Sequence, residues 1–168
     1  APMTAAIFQR ALFDEIGPLD ESFGSYLEDV DFGVRCALAG RDGVYVPAAV
    51  AHHRGSATMG AWNKDTVRLI ARNQVLLAAK HFQGQDRWPL MAGQLLWGLL
   101  ALRHGRGLAW LQGKRAGLEA ARKIGWPVED KRQSLRALVA ESEETIRVLG
   151  EETGLDRYWR AYFWLSPR

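Results

Sequence analysis

The chain has 168 residues, 48% hydrophobic and 24% charged, an ordinary balance for a globular domain with a real core. Its one cysteine, Cys36, excludes an internal disulfide framework and fits a reducing compartment. The net charge of +3 hides an asymmetry: residues 1–60 carry 4 basic and 8 acidic side chains (−4), and residues 61–168 carry 18 and 11 (+7).

The start, Ala1-Pro2 with no Met, reads as a processed or excised piece, and no stretch has the layout of a signal peptide. Residues 3–8 are apolar and partly β-branched and predict a short buried strand. Residues 10–16 predict a short helix that stops at Gly17-Pro18. Residues 19–25 predict a turn region. A helix follows over about 28–39, with Val30, Val34, Ala37 and Leu38 as its inward stripe and Gly40 at the left-handed cap. Residues 44–46 predict a strand ended by Pro47, residues 50–53 a second extended piece, and residues 54–60 a polar loop. Beyond Gly60 the pattern turns helical, over 66–82, 88–102, 108–124, 129–150 and 155–165. The composition therefore predicts an α/β front and a helical back. The boundary is expected near Gly60 or Gly84-Gln85, and we divide the chain into 1–83 and 84–168.

The most informative text is Tyr26-Leu27-Glu28-Asp29-Val30-Asp31-Phe32. Three carboxylates in four positions repel one another and raise each other's pKa, so they need a reason. One reason is structural, because acids at a helix start are favoured by its unpaired N–H groups and dipole. The other is chemical: Asp29 lies off the Val30–Val34 face and can project into a cleft, where a carboxylate accepts a proton from a hydroxyl nucleophile. Asp29-Val30-Asp31 also has the D-x-D form that chelates a metal. On a helix, however, residues two apart diverge, whereas at a strand end they share a face. Asp31 is better placed as a partner for Arg35, four residues on, or as a capping group.

His52 and His53 close the second extended piece and, if extended, point to opposite faces, so one of them enters any given site. A lone strand-end histidine is more often structural than a ligand. No Cys or His spacing suits zinc, whereas one imidazole can complete an oxygen-rich magnesium or manganese site. Ser56 and Thr58 offer hydroxyls, and the backbone N–H groups around Gly55 can cradle phosphate.

Taken in order, these residues resemble the C-terminal half of a family 2 glycosyltransferase of the GT-A fold, close to bacterial rhamnosyltransferase-like enzymes of polysaccharide and lipopolysaccharide synthesis. The resemblance rests on Thr4 to Arg10, Phe13-Asp14-Glu15-Ile16-Gly17-Pro18-Leu19-Asp20-Glu21-Ser22-Phe23, the acidic run, Arg35, Ala39-Gly40, Tyr45-Val46-Pro47, His53 to Thr58 and Arg72-Asn73. It covers residues 4–80; the rest matches loosely, as a helical tail.

The resemblance implies an α/β fold, the C-terminal part of a nucleotide-diphospho-sugar transferase, followed by a helical tail. It implies Asp29 as the general base of an inverting transfer, Glu28 as the residue shaping that site, and His53 as the ligand of a magnesium or manganese ion. It implies acceptor or phosphate contacts from Asp20, Glu21, Ser56, Thr58 and Arg72. The expected partners are a nucleotide-diphospho-sugar donor and a glycan or lipid-linked acceptor. The donor-binding half, with its own metal motif, is expected to lie outside this chain, leaving the isolated piece inactive and prone to self-association at an open sheet edge.

In the back half, residues 86–126 hold seven Lys or Arg against two acids, and four tryptophans flank or interrupt the apolar helices there. That composition suits a cytoplasmic membrane face as well as a buried helix pair. The apolar stretch 88–102 is shorter than the roughly 18–20 residues a span needs. No motif supports nucleic-acid binding. The competing functional class is a non-catalytic helical interaction or membrane-associating module with a degenerate transferase remnant at its front.

Overall fold

The computed structural model describes residues 5–52, 60, 62–82, 87–124 and 132–166. Among these residues seven helices follow one another: α1 (Arg10–Ile16), α2 (Glu28–Leu38), α3 (Lys64–His81), α4 (Arg87–Arg103), α5 (Gly107–Ala121), α6 (Arg132–Thr153) and α7 (Arg157–Leu165). Each falls where the apolar periodicity predicts one. Their ends follow the capping chemistry. Asn63 accepts from the Asp65 amide at 2.8 Å, Asp156 accepts from the Trp159 amide at 2.9 Å, and α1 stops at Gly17 with φ at +87° before Pro18.

The α/β expectation is corrected: among the described residues there is no strand, and the fold is mostly helical. Residues 6–9 are irregular and Ile7 is fully exposed. Residues 41–46 are irregular too, with Val44 and Tyr45 more than four-fifths exposed, and His52 is exposed in the same kind of backbone. The composition of these segments is strand-like, but a strand exists only through the ladder it shares with a neighbour, and among the described residues no ladder forms. A GT-A sheet is therefore not present among the described residues. The predicted loop at 54–60 lies almost entirely outside them.

The centre is the packing of α3 on α5. It is close because α5 presents Ala109, Gly113 and Gly117, four apart and buried, to α3. A Cβ on Gly113 would collide with the Arg68 carbonyl and lie 2.7 Å from Ala71 Cβ; one on Gly117 would lie 2.6 Å from the Arg72 carbonyl. Around one end, Val67, Ala101 and Ala109 form a core covered by Trp62, Trp97 and Trp110. Trp62 stacks on His104 at 4.0 Å between ring centres and takes a 2.7 Å bond from Arg106 Nε on its carbonyl. Lys114 bridges α5 to α3 and α4 through Gln74 Oε1 (2.7 Å) and Gln94 Oε1. Burial with no carboxylate partner among its bonds brings its ammonium pKa down to about 8.

α4 continues the layer onto α7, where the Tyr158 hydroxyl donates to the Gly93 carbonyl at 3.1 Å and Trp88 Nε1 to the Leu165 carbonyl at 2.7 Å. α6 joins through Glu143, which accepts from the Tyr162 hydroxyl at 2.6 Å. On the other side, α1 and α2 share an aromatic cluster. Phe13 stacks on Phe32 at 5.1 Å and Phe8 meets Phe32 edge-on at 5.5 Å. The inward face of α2 also departs from expectation. Phe32 and Asp31 are the buried residues, while Val30 is 40% exposed.

Gly113→Ala is expected to cost about 1–3 kcal/mol in urea unfolding, because overpacking against backbone outweighs the helix propensity gained. Gly33→Ala, at a position in α2 with nothing within 4 Å of the new methyl, is the control and is expected to stabilise by up to about 1 kcal/mol.

Candidate functional site

The segment 17–27 is laid against α3 and leads into the acidic run at the start of α2. Two sets of bonds hold it there. Asn73, fully buried on α3, donates from Nδ2 to the carbonyls of Phe23 (2.9 Å), Ser25 (2.8 Å) and Tyr26 (2.7 Å). Arg72 donates to the Ser22 carbonyl at 2.9 Å and fixes the amide orientation through Asn73 Oδ1 at 2.6 Å. A segment with no ladder and no helix of its own thus has its carbonyls satisfied by one neighbouring helix.

The second set centres on Asp31, whose side chain is 0% exposed. Its Oδ2 accepts from Arg35 Nε at 2.9 Å and its Oδ1 from His81 Nε2 at 2.8 Å, while Lys80 Nζ lies 2.9 Å from Oδ1 and 3.0 Å from Oδ2. Burial alone would push this carboxyl up. The bonds from His81 and Lys80, with the charges of Lys80 and Arg35, outweigh that and hold it below its ordinary value. An ionised carboxylate only accepts, so His81 donates here from Nε2. Lys80 also binds Asp20 Oδ2 at 2.7 Å, and Asp20 Oδ1 accepts from the Ser22 amide at 2.9 Å. Burial opposes ionisation of Asp20 as well, but these bonds bring it down to about 2. Arg35 reaches onward to the carbonyls of Ile16 and Pro18, both at 2.8 Å, closing the start of the segment.

Pinned this way, the chain enters α2 through two left-handed non-glycine residues, Tyr26 (φ +70°) and Leu27 (φ +68°). Such residues are strained and persist where surrounding contacts over-determine them, often at functional sites. They set Glu28 and Asp29 at the first turn of α2. Asp29 Oδ1 caps the Val30 amide at 2.8 Å. Glu28 Oε2 is buried and has no hydrogen-bond partner among the described residues. A buried carboxylate oxygen without a hydrogen bond is costly, so Glu28 Oε2 has capacity for a partner beyond the described residues.

The three acids therefore divide. Asp31 is saturated by structure, including the expected Arg35 pair, and Glu28 and Asp29 are held at the helix start with capacity to spare. Asp20 and Arg72, read from sequence as acceptor or phosphate contacts, are engaged in holding the segment, and Glu21 beside them is exposed. His53, Ser56 and Thr58 lie outside the described residues. Sequence reasoning missed Asn73, Lys80 and His81 as parts of this corner. Their only trace in the sequence is polar residues interrupting the inward face of α3.

No group of three or more His, Cys, Asp or Glu among the described residues can hold a metal ion. Glu28 and Asp29 alone do not make a magnesium or manganese site, and Asp31 has no lone pair to spare for one.

Comparison with known proteins places these residues in context. The family described as "Glycosyl transferase family group 2" matches residues 4–114, more than half of the chain and all of the corner just described. Two relatives, the N-acetylglucosaminyl-diphospho-decaprenol L-rhamnosyltransferases of Mycobacterium tuberculosis strains CDC 1551 / Oshkosh and ATCC 25618 / H37Rv, are each 37% identical over 105 residues. The match takes in 58% of this chain and 31% of each relative, so the chain spans about a third of the length of the curated relatives it matches. No solved structure matches.

Asp31→Ala is expected to cost about 3–5 kcal/mol in urea unfolding, because Arg35 loses its carboxylate, Lys80 keeps only Asp20, and His81 loses its acceptor. A lowered folded pKa adds stability that is present above the unfolded value and lost as pH falls through the folded one. Acid unfolding should therefore show a loss of stability below about pH 4 that is much shallower in Asp31→Asn.

Proposed function

This chain belongs to glycosyl transferase family group 2, and on that premise we propose that it supplies the base and acceptor corner of a sugar transfer. The donor is a nucleotide-diphospho-sugar and the acceptor a glycan or a lipid-linked glycan, the latter implying work at the cytoplasmic face of a membrane. Asp29 accepts the proton of the acceptor hydroxyl. The oxygen attacks the anomeric carbon from the face opposite the leaving group, a new C–O bond forms, the bond to the nucleoside diphosphate breaks, and the configuration inverts. Glu28 orients that hydroxyl or its neighbour on the acceptor sugar.

One observation carries this reading. Of three carboxylates in four positions, the structure consumes Asp31 and leaves Glu28 Oε2 buried without a hydrogen-bond partner among the described residues, next to Asp29 and after a strained turn. The activity named for the relatives, L-rhamnosyl transfer involving N-acetylglucosaminyl-diphospho-decaprenol, supports the substrate classes. Their greater length supports the further proposal that donor binding comes from sequence outside these 168 residues, so that the chain alone is inactive. Glu21, Ser56 and Thr58 are proposed acceptor or phosphate contacts. Asp20 and Arg72 serve by fixing the segment. His53 is the proposed protein ligand of a magnesium or manganese ion.

In the complete enzyme, Asp29→Asn is expected to lower kcat by about 10²–10⁴-fold with donor KM little changed; unchanged turnover would remove Asp29 from the base role. Dialysis against EDTA is expected to abolish transfer and manganese or magnesium to restore it. Full activity in the chelator would refute the metal requirement without touching the base assignment.

A further inference from the structure

The outward faces of α4 and α5 have no role in the corner described above. On α4, Trp88, Met91, Leu95, Leu99 and Leu102 recur at three- and four-residue spacing and are all exposed, Leu99 by 62%. That spacing places them on one stripe. On α5, Leu108, Leu111 and Leu118 are exposed on a similar stripe, and the same row carries Arg115 and Arg122. Both stripes face away from α3. On α5, Gly113 and Gly117 meet α3, and Leu111 and Arg115 stand two positions from Gly113, roughly 200° round the helix. On α4, Trp97 turns inward onto Trp62, and Leu95 and Leu99 stand two positions from it on either side. α4 and α5 pack side by side through Gly98 and Trp110, so the two stripes lie on one side of the molecule.

We infer that this side is a docking surface for a bilayer with anionic head groups. The chemistry of the face selects that occupant. An apolar stripe of leucines with a tryptophan at its end suits the acyl boundary, and exposed cations on the same surface suit phosphate head groups. Arg115 and Arg122 are exposed on the leucine row itself, against one exposed acid of α5, Glu119. The Arg115–Glu119 pair is solvent-exposed on both sides and holds the arginine only weakly. No described helix is long and apolar enough to cross a membrane, so the helices lie on the surface. A second copy of the chain fits less well, because face-to-face pairing would set the same cations against one another. The surface stands apart from the transfer reading, since vesicle binding needs neither donor nor acceptor, and its failure would leave the base assignment untouched.

The test is co-sedimentation of the 168-residue chain with vesicles of phosphatidylcholine alone and of phosphatidylcholine with phosphatidylglycerol. Three proteins are compared: wild type, Leu95→Glu/Leu99→Glu and Arg115→Glu/Arg122→Glu, each checked for helix content by circular dichroism. Wild type is expected to partition at least roughly tenfold better onto anionic vesicles, and each double variant to lose at least roughly tenfold. Raising NaCl from about 0.1 M to about 0.5 M is expected to weaken wild-type binding strongly. The charge variant replaces exposed residues only, so it decides the matter even where the leucine variant misfolds. Equal binding to neutral and anionic vesicles, wild-type binding by the folded variants, or no binding at all would overturn the proposal. A dimer in sedimentation velocity that Leu95→Glu/Leu99→Glu dissociates would assign the face to a second copy and overturn it too.

Discussion

The arrangement of the front of this protein depends on one buried charge. Asp31 is fully enclosed, and its carboxylate is shared among Arg35 from its own helix and Lys80 and His81 from α3. An ion this deep is tolerated only when paired and hydrogen-bonded on both oxygens. That requirement fixes α2 to the C-terminal end of α3. Asn73, two turns earlier on α3, gathers three carbonyls of the entering segment. Between these anchors the chain has no freedom to relax Tyr26 and Leu27 out of their left-handed conformation, and Glu28 and Asp29 are delivered to the first turn of α2. The acid that looks most like part of a metal motif is thus the one that does structural work. The acids available for chemistry are those it holds in place.

The helices were legible in the sequence because their signals are local. Periodicity, Asn63 and Asp156 as caps, Gly17-Pro18 as a stop and the Asp31–Arg35 spacing are all read within a few residues. The division among the acids was legible in part, since Asp29 and Asp31 diverge on a helix wherever that helix packs. What could not be read was the other half of each long-range bond. Asn73 and Tyr26 are 47 residues apart, and His81 and Asp31 are 50. Nothing in the local pattern of α3 says which polar residue on its inward side meets which carbonyl. The same limit explains Asp20 and Arg72, whose residue types suit phosphate or acceptor chemistry but whose bonds in the fold hold the segment.

The strand expectation failed for a related reason. Residues 3–8, 44–46 and 50–53 have apolar, β-branched composition, which is a statement about what a residue fits and not about what it pairs with. Val44, Tyr45 and Ile7 are exposed, and among the described residues no ladder partner lies beside them. Helices close their own backbone bonds and survive such a gap. That asymmetry is why the helical back half came out as read while the α/β front did not. Family membership and the acidic corner remain compatible with a helical front, because the corner is built from α2, α3 and the segment between Gly17 and Leu27, none of which needs a sheet.

The central claim is that Asp31 stays ionised inside the protein and that this charge is held by the basic groups around it. The most direct measurement is a carbon-13 NMR titration of the Asp31 carboxyl in the folded protein, repeated in Lys80→Met. The account predicts that the resonance stays at its ionised position until the pH is below the ordinary 3.8 and that the substitution moves the titration upward. A carboxyl that titrates at or above 3.8 in the wild type, or one indifferent to Lys80, would contradict it.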